Sequence, residues 1–230
     1  MFELTPLEIE ALELSLRVAL LSVAASLPFG LAVAWLLGRY EFFGKTLVNG
    51  IVYLPLVLPP VVVGYLLLLL LGRQGPLGRW LYETLGVTLP FTWEGAALAA
   101  AVMAFPLMVR AIQLSFEAVD RKLETAARTL GASRPSVFFT ITLPLALPGI
   151  LAGAVLAFAR SLGEFGATIT FVSNIPGETR TLPLALYSLI QTPGGEAGAL
   201  RLAVLSVLLS LAALAASEIA ARRIRARMEG

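Results

Sequence analysis

The sequence predicts an all-α integral membrane protein: a bundle of five membrane-spanning helices, with a charged and amphipathic segment between the third and the fourth. Of its 230 residues, 58% are hydrophobic and only 14% are charged. A soluble domain carries roughly 25% charged residues, and a chain of this size has too little interior to bury so much apolar surface. The apolar side chains must therefore face lipid. We expect one transmembrane domain over residues 1–230.

The composition also limits the chemistry of the chain. It contains no Cys and no His, which excludes a thiolate nucleophile, a disulfide, an imidazole base and a zinc site. Its formal net charge of +2 is too small to indicate a nucleic-acid-binding protein. We therefore expect no catalytic residue, no metal ion and no bound cofactor in this chain.

The spans are predicted from stretches that carry no charge. Crossing about 30 Å of hydrocarbon as a helix takes about 20 apolar residues. Three uncharged stretches reach that length, and two shorter ones reach it because a flanking Arg or Glu can extend to the interface. The five predicted spans cover residues 18–38, 51–72, 95–109, 135–159 and 202–217.

Two further uncharged stretches, 165–177 and 181–195, are rich in Gly, Pro, Thr and Ser. They are short and polar for a segment that crosses lipid unaided, so we expect re-entrant or surface elements there. A sixth span over 181–191 is the alternative.

Some residues inside the spans predict how the helices bend and pack. Pro55, Pro59 and Pro60 each remove a backbone donor from the second span, which predicts a bent helix. Gly149 and Gly153 form a G-x-x-x-G pair in the fourth span. Such a pair allows close helix packing, either within the chain or between two copies of it.

The distribution of Lys and Arg predicts the orientation, since their excess marks the cytoplasmic side. Ten of them lie in the stretches 39–50, 116–143 and 221–230, and only three lie in 73–93 and 163–197. Five spans with the N-terminus outside and the C-terminus in the cytoplasm place every loop rich in Lys and Arg on the cytoplasmic side. Tryptophan, which favours the membrane interface, occurs near span ends as Trp35, Trp80 and Trp93.

The cytoplasmic stretch of about 116–143 differs from the spans in composition. Apolar side chains recur at helical spacing with charged side chains on the other face, which predicts an amphipathic helix. The apolar positions are Phe116, Val119, Leu123, Ala126, Ala127 and Leu130. Gly131 predicts the end of this helix, and Ser133 followed by Pro135 predicts the start of another. Periodicity alone fits a helix lying on the bilayer as well as one that binds a partner.

The residues of this stretch also resemble a family signature. Permease subunits of ABC importers carry E-A-A-x-x-x-G-(x)9-I-x-L-P, which is similar to the run from Glu124 to Gly131 followed by Ile141-Thr142-Leu143-Pro144. One position differs: counting back from Gly131, Thr125 occupies the place of the family glutamate, and Glu124 lies one residue earlier. The resemblance extends over nearly the whole chain and implies the type I ABC importer permease fold.

In that family the segment is a coupling helix, which docks on a separate ATPase subunit. The resemblance implies a homodimer in a prokaryotic plasma membrane. Its implied partners are two cytoplasmic ATPase subunits, which bind ATP and Mg, and an extracytoplasmic binding protein. It assigns the contact with the ATPase to Glu124, Ala126, Ala127, Gly131, Ala132, Ser133, Ile141, Leu143 and Pro144.

A nucleotide site in the chain itself is not expected. The tripeptide Gly44-Lys45-Thr46 looks like the end of a phosphate loop, G-x-x-x-x-G-K-T. Arg39, however, occupies the place of the first glycine, and no strand is predicted before it. ATP hydrolysis is therefore assigned to the partner, and the permease itself is not expected to be an enzyme.

A second stretch, residues 160–187, resembles the oxyanion branch of these permeases and is most similar to molybdate transport permeases. Sulfate permeases are similar here, and tungstate is chemically nearly the same ion as molybdate. Arg160 and Glu164 are one helical turn apart, which allows an ion pair, although each could instead simply mark the interface. Neutral donors suit a path that releases a dianion quickly. The groups predicted to line the path or its gate are Arg160, Ser161, Glu164, Thr168, Thr170, Ser173 and Asn174.

Two functions from other classes stay open. An ion-coupled secondary transporter requires no ATPase but usually carries ionisable residues inside its spans, and the spans here have almost none away from their ends. A membrane scaffold without transport activity explains the hydrophobicity and the docking segment, but it leaves the stretch 160–187 unexplained.

Overall fold

The computed structural model describes residues 4–229, and every regular element in that range is a helix. The helices are α1 (Pro6–Arg39), α2 (Lys45–Val57), α3 (Pro60–Leu71), α4 (Pro76–Leu85), α5 (Trp93–Ala118), α6 (Arg121–Thr129), α7 (Arg134–Val137), α8 (Leu143–Leu162), α9 (Gly166–Val172), α10 (Leu182–Ile190) and α11 (Glu196–Glu229). A π-helical turn, Phe138–Thr142, joins α7 to α8.

Within the described residues, four helical segments are long and apolar enough to cross a membrane, and α2 with α3 makes a fifth if the pair is one broken span. This agrees with the five predicted spans. Helices α9 and α10, with 7 and 9 residues, are only about 10 and 13 Å long at 1.5 Å per residue, so neither crosses alone. The four continuous segments are Pro6–Arg39, Trp93–Ala118, Arg134–Leu162 and Glu196–Ala216.

The second span is broken where the prolines predict a bend. Helix α2 ends at Val57 and α3 begins at Pro60, and their axes differ by 115°. Pro59 and Pro60 have no N–H to continue the ladder of α2, whereas Pro55 is tolerated inside that helix. The predicted bend is therefore confirmed, and it is a full break between two short helices.

Helix α3 packs against α9 with direct backbone contact. A Cβ on Gly64 would lie 2.5 Å from the Ala167 carbonyl oxygen, and a Cβ on Gly166 would lie 2.7 Å from the Pro60 Cβ. Real Cβ atoms do not approach other atoms so closely. The two glycines therefore set the separation of the two short helices.

Helix α5 is the centre of the bundle and packs chiefly against α1 and α8. Ala96, Ala99 and Ala100 on α5 are fully buried, so neighbouring backbones come close to it. On α8, a Cβ at Gly149 would lie 2.3 Å from the Ser115 Cβ of α5. Small residues favour such contacts in lipid, where helices gain little from burying apolar surface. The G-x-x-x-G pair thus packs within the chain.

Helix α1 runs the length of the bundle and defines its two ends. It begins at Pro6, ahead of the predicted span, because Thr5 and Glu8 form a capping box. Near this beginning, the Arg201 Nη2 of α11 lies 2.8 Å from the Glu8 Oε1. The other end of α1 contacts α6 through Arg39. We call these the α11 end and the α6 end of the bundle.

Substituting Gly64 by Ala should lower the free energy of unfolding by about 1–3 kcal/mol, the usual cost of forcing a carbon into a packed site. The matched control is Gly50→Ala in α2, where a Cβ meets nothing within 4 Å. It should be neutral or slightly stabilising, since Ala favours helix over Gly. Unfolding in mixed detergent micelles, followed by circular dichroism, measures both. Equal stabilities of the two variants would contradict the α3–α9 contact.

Candidate functional site

Helix α6 is a short, separate helix at the α6 end of the bundle. Val119 is extended and Asp120 caps a new helix, with its Oδ1 accepting a hydrogen bond from the Lys122 N–H at 2.8 Å. The prediction of one amphipathic helix starting at Phe116 is therefore wrong. Phe116 belongs to α5 and is fully buried, because the chain turns at Val119 and Asp120.

The turn after α6 agrees with the prediction. Gly131 has φ +92°, and the Ala132 N–H donates to the Ala127 carbonyl at 3.0 Å, the bond that typifies a helix ending on a left-handed glycine. A Cβ at Gly131 would meet nothing within 4 Å, so glycine is required by conformation and not by space. Ser133 then caps α7, which confirms the predicted helix, turn and second helix.

The outer surface of α6 has no partner among the described residues. None of its residues is buried, and the side chains of Leu123 and Leu130 are 49% and 89% exposed. These exposed apolar side chains lie in the segment for which the sequence resemblance predicts a docking surface. Of the predicted contact residues, Ala126, Gly131, Ser133 and Pro144 are exposed, and Glu124, Ala127, Ala132, Ile141 and Leu143 are half-buried.

Glu124 does not share that outward surface. Its Oε1 accepts a hydrogen bond from the Arg39 Nη2 at 2.9 Å and another from the Thr142 Oγ1 at 2.6 Å. Arg39 is the last residue of α1, and Thr142 ends the π-helical turn that leads into α8. The single carboxylate oxygen therefore joins α6 to two spans.

These contacts are partly shielded from water. The Arg39 side chain is 7% exposed and the Glu124 side chain 24%, and Thr142 is buried. Arg121 adds one bond, from its Nη2 to the Arg39 carbonyl at 3.3 Å. Within the part of the chain that the structure describes, these are the hydrogen bonds through which side chains of α6 hold the spans. We call Arg39, Glu124 and Thr142 the coupling link.

Sequence reasoning missed Arg39 and Thr142. Arg39 gave a weak signal as a cation at the end of a span, and Thr142 is the variable position of the Ile-x-Leu-Pro segment. Their partner Glu124 is 85 residues from Arg39 in the chain, a separation at which no helical spacing predicts contact.

At the end of α8, the predicted pair of Arg160 and Glu164 is an ion pair. The Arg160 Nη1 lies 2.7 Å from the Glu164 Oε2, and the Glu164 side chain is 2% exposed. The other carboxylate oxygen accepts a hydrogen bond from the Ala167 N–H at 2.8 Å. Glu164 thus ties the end of α8 to the start of α9.

The neutral groups predicted for the path are bonded to different elements. The hydroxyl of Ser161 lies 2.8 Å from that of Ser22 on α1, and Thr168 is buried. The Thr170 Oγ1 donates to the Gly166 carbonyl within α9 at 2.8 Å. These three side chains are therefore divided between the α1–α8 contact and the body of α9.

The loop from α9 to α10 holds the last two predicted groups. The Asn174 Nδ2 donates to the Ser188 Oγ at 2.7 Å, and its Oδ1 accepts from the Arg180 Nε at 2.9 Å. Ser173 is exposed with φ +67°, and its carbonyl accepts from the Thr179 Oγ1 at 3.2 Å. The side-chain amide of Asn174 was predicted to face the path. In the structure it holds the loop instead.

Known proteins resemble this chain over nearly its whole length. A sequence profile of the family described as "Binding-protein-dependent transport system inner membrane component" matches residues 26–226. The chain is 65% identical over 224 residues to the "Molybdenum transport system permease protein ModB" of Escherichia coli (strain K12), covering 97% of this chain and 98% of that protein. It is 60% identical over 222 residues to the protein of the same name from Haemophilus influenzae, covering 96% and 97%.

The fold is also similar to a chain of a bacterial alginate ABC transporter, crystallised in complex with its alginate pentasaccharide-bound periplasmic protein. The TM-score is 0.75 at 19% sequence identity, over 96% of this chain and 80% of that chain. The predicted fold class, a bundle of spans of the ABC importer permease type, is confirmed.

Replacing Glu124 by Gln should lower the free energy of unfolding by about 1–3 kcal/mol, because the shielded Arg39 loses its counter-charge. The matched control is Glu41→Gln, which breaks the Lys45–Glu41 pair of 2.6 Å with Glu41 89% exposed. An exposed pair contributes about 0–1 kcal/mol. Titration with denaturant in mixed micelles compares the two. An equally small loss of unfolding free energy in both variants would mean that the coupling link does not stabilise the fold.

Proposed function

Because this chain belongs to the family of binding-protein-dependent transport system inner membrane components, we propose that it is the permease subunit of an ABC importer of molybdate. The observation that carries this function is the identity of 60–65% to molybdenum transport permeases over nearly the whole chain. Tungstate, a tetrahedral oxyanion of nearly the same size, is a second expected substrate. The chain crosses the plasma membrane several times, as the family description and its apolar helices indicate.

The permease works by alternating access. ATP closes a pair of ATPase subunits, and α6 with the following turn receives that movement on its exposed apolar side chains. The coupling link passes it to the end of α1 and to the start of α8. Helix α8 packs on α5 through Gly149, so these spans move as packed bodies. The central path then opens outward for molybdate, and loss of ADP and phosphate returns it inward.

The proposed assembly is a homodimer of this chain with two cytoplasmic ATPase subunits and an extracytoplasmic molybdate-binding protein. ATP and Mg bind to the ATPase subunits, so the permease contributes no catalytic residue, cofactor or metal site. The α6 end faces the cytoplasm, with the C-terminus inside and the N-terminus outside. The support for this orientation is the excess of Lys and Arg in the loops assigned to the cytoplasm.

The path itself is proposed to bind the anion weakly. Arg160 and Glu164 neutralise each other, so they present little net charge to a passing dianion. Ser161, Thr168, Thr170, Ser173 and Asn174 shape the gate in this proposal, and affinity resides in the binding protein. A tight, strongly charged site would hold the dianion and slow its release.

Gly131→Val should lower ATP-driven molybdate uptake at least about tenfold, because a β-branched residue resists φ +92° and the turn after α6 is lost. The matched control is Gly86→Val at the end of α4. Gly86 has φ +67° and equally open surroundings, so it carries similar strain away from α6. Uptake into proteoliposomes holding the full complex measures both. Similar uptake by the two variants would count against the role of α6.

Unlabelled tungstate should compete with labelled molybdate for ATP-driven uptake by the same complex, whereas sulfate in excess should compete poorly, because the sulfate ion is smaller. The complex is assembled with its cognate binding protein, and uptake is measured as label retained inside the vesicles after the external label is removed. Equal competition by sulfate would favour a sulfate-type permease. Uptake driven by an ion gradient without ATP would favour a secondary transporter.

A further inference from the structure

A basic cleft of about 370 Å³ opens at the α6 end, between the end of α1, helix α6 and the start of the α7–α8 span. Four arginines line it, with one carboxylate. Four guanidinium groups against one carboxylate leave three positive charges in the cleft. The charged residues are Arg39, Arg121, Arg128, Arg134 and Glu124.

The arginines retain donors that the described side chains do not use. Among the side chains that the structure describes, the ion pairs do not include Arg121, Arg128 or Arg134. Arg39 gives Glu124 only its Nη2, and its buried Nε has no hydrogen-bond partner in the described chain. Buried N–H groups are usually paired, so the cleft holds more donors than the described residues satisfy.

The wall of the cleft is aromatic and lies at the level expected of the membrane interface. Trp35 lines the cleft and packs edge-to-face on Tyr40, with ring centroids 5.0 Å apart, and on Phe138 at 5.5 Å. Tryptophan and tyrosine concentrate where lipid headgroups begin. We therefore expect the arginines of the cleft to lie near the depth of lipid phosphates.

Exposed aromatic side chains flank the same cleft. Tyr40, which lines the cleft, is 46% exposed, and Phe139, which packs on the lining residue Phe138, is 64% exposed. A soluble anion would use the arginines alone. A ligand that carries both a phosphate and acyl chains uses the arginines and the aromatic rim together, and basic pockets between spans on the cytoplasmic side are known to bind such headgroups.

We propose that this cleft binds the phosphate headgroup of an anionic phospholipid from the cytoplasmic leaflet. Arg128 of α6 and Arg134 of α7 contact the phosphate oxygens, and the acyl chains pass over Tyr40 and Phe139. The lipid thereby bridges α6 to the end of α1, beside the coupling link. The choice of leaflet rests on the orientation given under the proposed function.

The test is native mass spectrometry of the intact complex, purified from nanodiscs of equal phosphatidylglycerol and phosphatidylcholine. The wild type should retain phosphatidylglycerol preferentially, and an R128A/R134A variant should retain several-fold less. The matched control is R73A/R79A, which removes two exposed arginines near α4. Equal retention by the R128A/R134A variant and the wild type would overturn the proposal.

Two further experiments distinguish a bound phospholipid from other partners that the same arginines could contact. Millimolar inorganic phosphate should not displace the lipid; displacement would assign the cleft to a soluble oxyanion and overturn the proposal. Loss of the ATPase from the R128A/R134A complex with unchanged lipid retention would assign the arginines to the motor subunit, which also overturns it. Lipid retention is measured without any transport assay. The proposed function is tested separately, by molybdate uptake of the wild-type complex in phosphatidylcholine alone.

Discussion

Close backbone approach around α5 is the constraint on which the rest of the structure depends. In lipid, helices gain little by burying apolar side chains against one another, so their association relies on contact between surfaces of small residues. Alanines on α5 and the Gly149 and Gly153 pair on α8 provide that contact. The long spans therefore form a packed body with α9 in its core, and the short helix α6 is held to it by a few specific groups.

Three carboxylates hold elements together near the ends of the spans. Glu124 joins α6 to α1 and the start of α8, Glu164 joins α8 to α9, and Glu8 joins α1 to α11. Each of them accepts bonds from a guanidinium and a second donor. Each of the three negative charges is therefore compensated by a neighbouring guanidinium.

Much of the fold could be predicted because its causes are local in the sequence. Uncharged runs of about 20 residues predicted the spans, Pro59 and Pro60 predicted a bend where the structure has a break, and Gly131 predicted the turn after α6. The end of α5 could not be predicted in this way, since the apolar periodicity continues through Val119 and hides the cap at Asp120. Apolar periodicity alone does not show where one amphipathic stretch is split into two helices.

The site was less predictable than the fold because its bonds join distant parts of the chain. The motif located α6 but gave no indication that Glu124 turns inward to Arg39. Similarly, Asn174 looked like a free donor in sequence, whereas its partners Arg180 and Ser188 become neighbours only when the loop closes. Residue types and local spacing selected the candidate groups, and tertiary contacts determined what each one touches.

The packing of Gly64 on Ala167 has a consequence for biosynthesis, since the two residues are about a hundred positions apart in the chain. The ribosome releases α2 and α3 long before α9 exists, and until then α3 lacks the helix on which Gly64 packs. The second span therefore reaches its final packing late, only after most of the chain has been made.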